Sequence, residues 1–294
     1  MSSPTRALAH TLMKAPWLRK GEQLWEQNRS DWHLPLSRVD KLRTGIWLIL
    51  RDYAEGEFPP RFPDRAQTHE AEIAARDNLP GLHEGHFTEA EMRKPFLWGE
   101  GQQRYLGKYM EFSALLAGCG VNPPARLLEL GAGSGWMAEF LALAGFDVTA
   151  TTIGPADVED AERRLPALEA KGATGKLEFR ASPMEAVDEA VRDLSPFDAV
   201  FVFEALHHAF DWRQAIDAAY RCLAPGGWLL LCDEPNWLHT FVAYRVARLS
   251  NTHEIGFTRR QLTGQLRKSG FEQIVIARNR FGLLARPHWL AARK

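Results

Sequence analysis

Cysteine is scarce in this chain. Cys119, Cys222 and Cys232 stand far apart among 294 residues. They are too few and too scattered for a disulfide framework or a cysteine-built zinc cluster, and they fit a reducing compartment. Long apolar runs are missing too. Stretches such as Phe140–Phe146 and Gly226–Cys232 fall far short of the roughly 20 residues that cross a bilayer, so no membrane span is expected. The opening MSSPTRALAHTLMKAPW has no apolar run of signal-peptide length, and a cytoplasmic protein is the expectation. Neither sign of charge dominates: 36 Lys and Arg against 37 Asp and Glu give a net charge of −1. Without a global basic field, no stable nucleic-acid partner is expected. Internal repeats and low-complexity tracts are also lacking.

What is present is ordinary for a globular protein: 45% apolar and 25% charged residues, a composition that excludes disorder over most of the chain. The length is about twice a typical domain of roughly 150 residues, which allows a catalytic domain and a second one. Charge is unevenly spread. Residues 1–120 carry 16 basic and 16 acidic side chains, 121–238 carry 9 and 19, and 239–294 carry 11 and 2. The basic stretch either meets an anionic substrate, such as a nucleotide-sugar, phospholipid or RNA, or complements the acidic middle within one fold.

From about Arg126 to Ala277, short apolar runs alternate with helical stretches. Strands are predicted at Arg126–Leu130, Asp147–Thr151, Leu177–Arg180, Ala199–Phe203, Trp228–Cys232 and Gln273–Ala277. Helices are predicted at Trp136–Ala144, Asp157–Ala170, Met184–Asp193, Trp212–Cys222 and Thr258–Ser269. Unbroken apolar strands separated by helices imply a parallel sheet covered on both faces, a doubly wound α/β domain. Residues 1–120 read differently, as a mostly helical cap or substrate region, with helical periodicity at Leu12–Asn28, Val39–Tyr53 and Gln102–Cys119 and a polar candidate at Gln67–Asn78. Half of the ten tryptophans fall there, as core packing or as the lining of a pocket. The expected division is 1–120 and 121–294, with a helical insertion near 236–257.

The run Leu127-Leu128-Glu129-Leu130-Gly131-Ala132-Gly133-Ser134-Gly135-Trp136 follows a strand and opens a helix. Such a turn lets a ligand approach the backbone closely, where α/β sheets bind nucleotides. A dinucleotide fingerprint requires GxGxxG, and position 136 is Trp. Glu129, two residues before the first glycine, would repel a pyrophosphate and suits a cationic ligand.

With these residues the chain resembles the class I S-adenosylmethionine-dependent methyltransferases over about Arg126 to Ala277. The matching segments, in order, are Glu129–Gly135, Phe197–His208, Arg221–Trp228 and Phe257–Phe271. The resemblance implies a Rossmann-like methyltransferase sheet and S-adenosylmethionine as cofactor. It places Gly131 and Gly133 against the methionyl part and ribose, and Glu129 near the ammonium. It sets Thr152 and Ile153 at the ribose and adenine, Met184 beside the adenine, and Phe203 and Glu204 beneath the sulfonium. The chain departs from the family at the end of the second strand, where Thr151-Thr152-Ile153 stands in place of a ribose-binding acid.

Methyl transfer from a sulfonium is an in-line displacement that depends on alignment, and a hydroxyl nucleophile gains from a general base. His208, His207 and Asp233 are the candidate catalytic residues. His207 and His208 follow the fourth strand, Asp233 and Glu234 the fifth, and His239, His253 and Glu254 lie in the insertion. Histidines in such an LHH segment also serve as packing or helix-capping groups. Tyr105 and Tyr109 either close over the cofactor or pack their helix. His83-Glu84-Gly85-His86 offers a pair of histidines but not the four ligands of structural zinc, so no metal is expected. The expected acceptor is a small molecule or glycan. Alternatives are an RNA or protein methyltransferase, or a cofactor-binding protein without methyl transfer.

Overall fold

The computed structural model describes residues 4–29, 35–58, 69–74, 92–96, 98–277 and 286–294. The chain divides into two compact units: 1–84 with 237–256, and 85–236 with 257–294.

The first unit is helical among its described residues. Pro4–Met13, Pro16–Asn28, Arg38–Glu55 and His239–Ser250 are its main helices. Ser37 caps Arg38–Glu55 by accepting the Asp40 N–H, and Gly56 ends it in the left-handed region at φ +89°, an arrangement that satisfies otherwise orphaned terminal groups. Leu18, Trp25, Trp47, Leu48 and Tyr244 form a buried apolar cluster. Trp25 and Trp47 are therefore core residues, while Trp17 is exposed. Gly45 permits a close helix approach: a β-carbon there would stand 1.6 Å from the Phe241 carbonyl oxygen.

The second unit is built on a seven-stranded sheet. Its strands are β1 (Arg126–Leu130), β2 (Asp147–Thr152), β3 (Leu177–Ala181), β4 (Phe197–Phe203), β5 (Leu223–Glu234), β6 (Gln273–Ile276) and β7 (His288–Arg293). They stand in the order β3-β2-β1-β4-β5-β7-β6. The doubly wound α/β expectation holds, with one correction. The sheet is mixed, because β7 runs antiparallel between β5 and β6. The run His288–Arg293 is short, and neither its periodicity nor flanking turns mark it as a strand. One helical and one strand reading are also refined. Asp157–Ala170 is split into Pro155–Glu162 and Leu165–Ala170; Pro166 disfavours helix at the residue before it. Leu223–Gly227 belongs to β5, where a register shift between Phe197 and Ala199 absorbs the Pro225-Gly226-Gly227 segment.

β1 and β4 are almost wholly buried. Phe112, from the Glu100–Gly118 helix, packs on Phe201 with ring centroids 4.7 Å apart, anchoring that helix to β4. Asp211 caps the Trp212–Cys222 helix by accepting from the Arg213 and Gln214 N–H groups. Thr258 and Gln261 form a capping box on Arg259–Ser269.

Candidate active site

Strand order reverses between β1 and β4. In open α/β sheets the crevice at the carboxyl ends of strands flanking such a reversal is where ligands bind. After β1 the chain enters the glycine turn and then the Trp136–Leu143 helix. Gly131 and Gly133 hold φ of +74° and +54°. A β-carbon at Gly131 would lie 2.5 Å from Met184 Cε and 2.7 Å from Ala205 Cβ, whereas one at Gly133 would meet nothing within 4 Å. The turn is thus tight at its first glycine and open at its second. Buried Arg164 fastens it by donating to the Ser134 carbonyl, and at 2.7 Å to Glu139 Oε2.

Glu129 lies in β1 and is buried, and its Oε2 has no hydrogen-bond partner. Burial pushes its pKa up to about 8, against the opposing pull of an Ala138 backbone hydrogen bond and the charge of Arg164. An unsatisfied buried carboxylate oxygen is rare and costly, and it suits an ammonium donor. Thr152 closes β2, buried, with its carbonyl accepting the Ser182 N–H at 2.8 Å. Half-buried Ile153 follows it, and Met184 begins the 3-10 turn after β3. Glu129, Gly131, Gly133, Thr152, Ile153 and Met184 therefore all stand at the carboxyl ends of β1, β2 and β3.

The ends of β4 and β5 carry the charged part of the site. Phe203 is buried and meets Trp136 and Trp289 edge-on, with centroids 5.8 and 6.1 Å away. Glu204 and Asp233 both adopt positive φ, +50° and +58°; for side chains other than glycine this is uncommon and concentrates at functional sites. Lys108, on the Glu100–Gly118 helix, joins the two acids. Its Nζ is 2.9 Å from Glu204 Oε2 and pairs directly with Asp233 Oδ2, while Arg104 Nη2 reaches Glu204 Oε1 at 2.8 Å. Burial acts to raise the Glu204 pKa, but Lys108 and Arg104 outweigh it and hold that carboxyl below its usual value. At Asp233 burial prevails over Lys108 and raises the pKa.

His207 and His208 sit in the 3-10 turn Leu206–His208. His207 is buried, and its Nδ1 lies 3.1 Å from Glu234 Oε2. Glu234 is wholly buried, and its Oε1 accepts the Ala205 and Leu206 N–H groups at 2.9 Å each. The carboxylate thus fixes the imidazole and the turn together. His208 is half-buried, its ring centroid 4.2 Å from that of His207. Asp233 does not join this pair and binds Lys108 instead.

The aromatic pair on the Glu100–Gly118 helix packs: Tyr105 meets Trp136 at 5.6 Å and Tyr109 meets Phe140 at 5.1 Å. Arg104, Lys108 and Arg164 escaped the sequence reading. Arg104 and Lys108 had a signal, being spaced i,i+4 on a predicted helix beside that aromatic pair. Arg164 had none, since its partners lie far away in sequence. Of the insertion candidates, His239 Nε2 is 3.0 Å from Glu254 Oε2 within the helical unit. His83-Glu84-Gly85-His86 lies outside the described residues.

A family model described as "Methyltransferase domain" matches residues 98–275. This chain belongs to the methyltransferase-domain family. Its cofactor is S-adenosylmethionine, and this methyltransferase has residues that suit it. An unpartnered buried oxygen at Glu129 is chemically suited to an ammonium, and the turn is open at Gly133, with apolar Ile153 and Met184 following β2 and β3. At the end of β2, where the resemblance implies a ribose-binding acid, this chain has the neutral hydroxyl of Thr152.

Among curated relatives, a ubiquinone biosynthesis O-methyltransferase of Psychrobacter arcticus is 29% identical over 175 residues, covering 56% of this chain and 66% of its own. One from Xanthomonas oryzae pv. oryzae is 37% identical over 107 residues, covering 36% and 42%. The chain thus spans less than two thirds of the length of these relatives. Among solved structures, the CurJ carbon methyltransferase aligns with a TM-score of 0.55 at 17% identity, over 94% of this chain and 70% of that one. A magnesium protoporphyrin IX methyltransferase from Synechocystis, with bound SAH, aligns with a TM-score of 0.55 at 17% identity, over 76% and 99%. These two similarities concern the fold.

Proposed function

We propose that this protein is an S-adenosylmethionine-dependent O-methyltransferase acting on a small hydroxylated molecule or glycan. One observation carries the reading: the unpartnered carboxylate oxygen of Glu129 stands at the same end of the sheet as a carboxylate-held imidazole, His207. The first suits the amino end of the methyl donor. The second is what a hydroxyl acceptor requires. The names of the curated relatives support O-methylation of a small molecule.

When bound, S-adenosylmethionine supplies a methyl group on a sulfonium. Glu129 binds the ammonium, while Gly131, Gly133 and Thr152 orient the chain and ribose, and Ile153 and Met184 flank the adenine. Phe203 and Glu204 face the reacting end, where Lys108 and Arg104 hold the Glu204 carboxylate ionised and in place. His207 acts as base. Its Nδ1–H donates to Glu234, which leaves Nε2 as the basic nitrogen and stabilises the imidazolium formed when the acceptor proton arrives. His208 stacks beside it, and Asp233 holds Lys108. The same pair can take a proton from an activated carbon, so the product must be read for the methylated atom.

The test is transfer of labelled methyl from S-adenosylmethionine into cell extract separated into RNA, protein, lipid-plus-glycan and small-molecule pools. Label in the small-molecule or glycan pool, recovered as O-methyl, is expected. Label confined to RNA or protein, or none with cofactor bound, overturns the reading.

A further inference from the structure

The helical unit, 1–84 with 237–256, contains a cleft that methyl transfer does not use. It has a volume of about 420 Å³ and is lined by Trp25, Arg29, Arg51, Arg248 and Leu249. Three guanidinium groups around one opening repel each other unless something offsets their charge.

The offset is partial. Asp52 is wholly buried and organises two of the three. Its Oδ1 accepts from Arg51 Nε and Nη2 at 2.9 and 2.7 Å, and its Oδ2 lies 3.2 Å from Arg248 Nε. The Tyr244 hydroxyl donates to Oδ2 at 2.7 Å. Arg51 is also held by ring faces, 5.8 Å from the Trp25 centroid and 5.4 Å from that of Trp47. Two further acids approach. Glu26 lies 3.4 Å from Arg29, and Glu55 lies 3.9 Å from Arg51, but their side chains are 59% and 55% exposed. Pairs so exposed contribute little. Counted with Glu26 and Glu55, three acids stand against the three cations, but only Asp52 is buried, and the two exposed acids are screened by solvent. Among the described residues, Arg51 Nη1 and both Nη atoms of Arg248 have no hydrogen-bond partner in the protein.

We infer that this cleft binds the phosphate or diphosphate group of a small soluble ligand. Three guanidinium groups lining one opening offer more donors than a single carboxylate can use and suit the oxygens of a phosphate. Guanidinium forks match phosphate oxygens in geometry, and Arg51 and Arg248 are already oriented by Asp52. The volume exceeds that of a lone ion and falls in the range of small-molecule sites, with Leu249 and the Trp25 ring to meet the ligand's body. Arg248 also belongs to the strongly basic 239–294 stretch that the sequence sets apart. The inference is independent of the methyl-transfer reading.

The test is calorimetric titration of the full chain with inorganic pyrophosphate, at constant ionic strength set with chloride. Arg29→Gln and Arg248→Gln are compared with the wild type. Arg29→Gln is the informative variant, because among the described residues its one ion pair is the exposed contact with Glu26, and its unchanged melting temperature and S-adenosylmethionine affinity serve as fold controls. A single saturable site, competed by uridine diphosphate and weakened at least tenfold in each variant, is expected. No saturable binding, affinities equal to wild type in both variants, or binding to phosphatidylglycerol vesicles without pyrophosphate binding would overturn the inference.

Discussion

Glu129 has a folded pKa of about 8 because it is buried, against roughly 4.3 for a free glutamate. The sign follows from linkage. An acid whose pKa is raised on folding favours the folded state while protonated, below the unfolded pKa, and that contribution is lost as pH rises through about 8. The cofactor-free protein should therefore lose stability from about pH 5 to 8.5. Glu129→Gln should flatten that part of the profile, as thermal melts across the range would register. His207 yields a second prediction at this scale. His207→Gln should lower kcat roughly 10²- to 10⁴-fold with KM nearly unchanged, the range for loss of a general base, while His208→Ala keeps most of the activity. Equal losses in the two variants would count against a specific role for His207. Both histidines were legible in the sequence as a pair after the fourth strand. What ranks them, the contact with Glu234, links residues 27 apart, and spacing alone does not reveal it.

At the scale of elements, the glycine turn is where sequence and structure agree most fully. Its strand, turn and helix were all readable, because a buried apolar strand, clustered glycines and an apolar helical stretch occur in immediate succession. The two glycines differ in surroundings, however, and that yields an order. Gly131→Ala adds a β-carbon 2.5 Å from Met184 Cε and 2.7 Å from Ala205 Cβ, on top of the roughly 1–2 kcal/mol for a left-handed residue. Gly133→Ala carries the backbone cost alone. Denaturant unfolding should rank Gly131→Ala as the more destabilised, by about 1–3 kcal/mol for the added crowding. If Gly133→Ala proves the worse, the crowding is misjudged. The antiparallel β7 was not readable, since a short run of four apolar residues between His288 and Arg293 joins a sheet only through partners that lie elsewhere in the chain.

At the scale of the whole molecule, the periodicities of the N-terminal helices and of the insertion near 236–257 were visible, but the contacts that join them in one compact unit were not. Their packing depends on Gly45 beneath Phe241 and on Tyr244 bonded to Asp52, 192 residues away. Asp52→Asn leaves Arg51 and Arg248 without their shared carboxylate and should cost about 3–5 kcal/mol, as breaking buried ion pairs does. Unfolding monitored by circular dichroism would check it, and a loss under about 1 kcal/mol would show that water or other groups replace that carboxylate. That Glu129 grips the methyl donor of the whole enzyme is tested most directly by calorimetry of S-adenosylmethionine binding at pH 6.5, in buffers of different ionisation enthalpy. Ionisation of Glu129 against the ammonium predicts release of up to about one proton, and in Glu129→Gln both loss of that release and affinity weaker by roughly 10- to 100-fold. Binding without proton release, and equally tight in the variant, would contradict it.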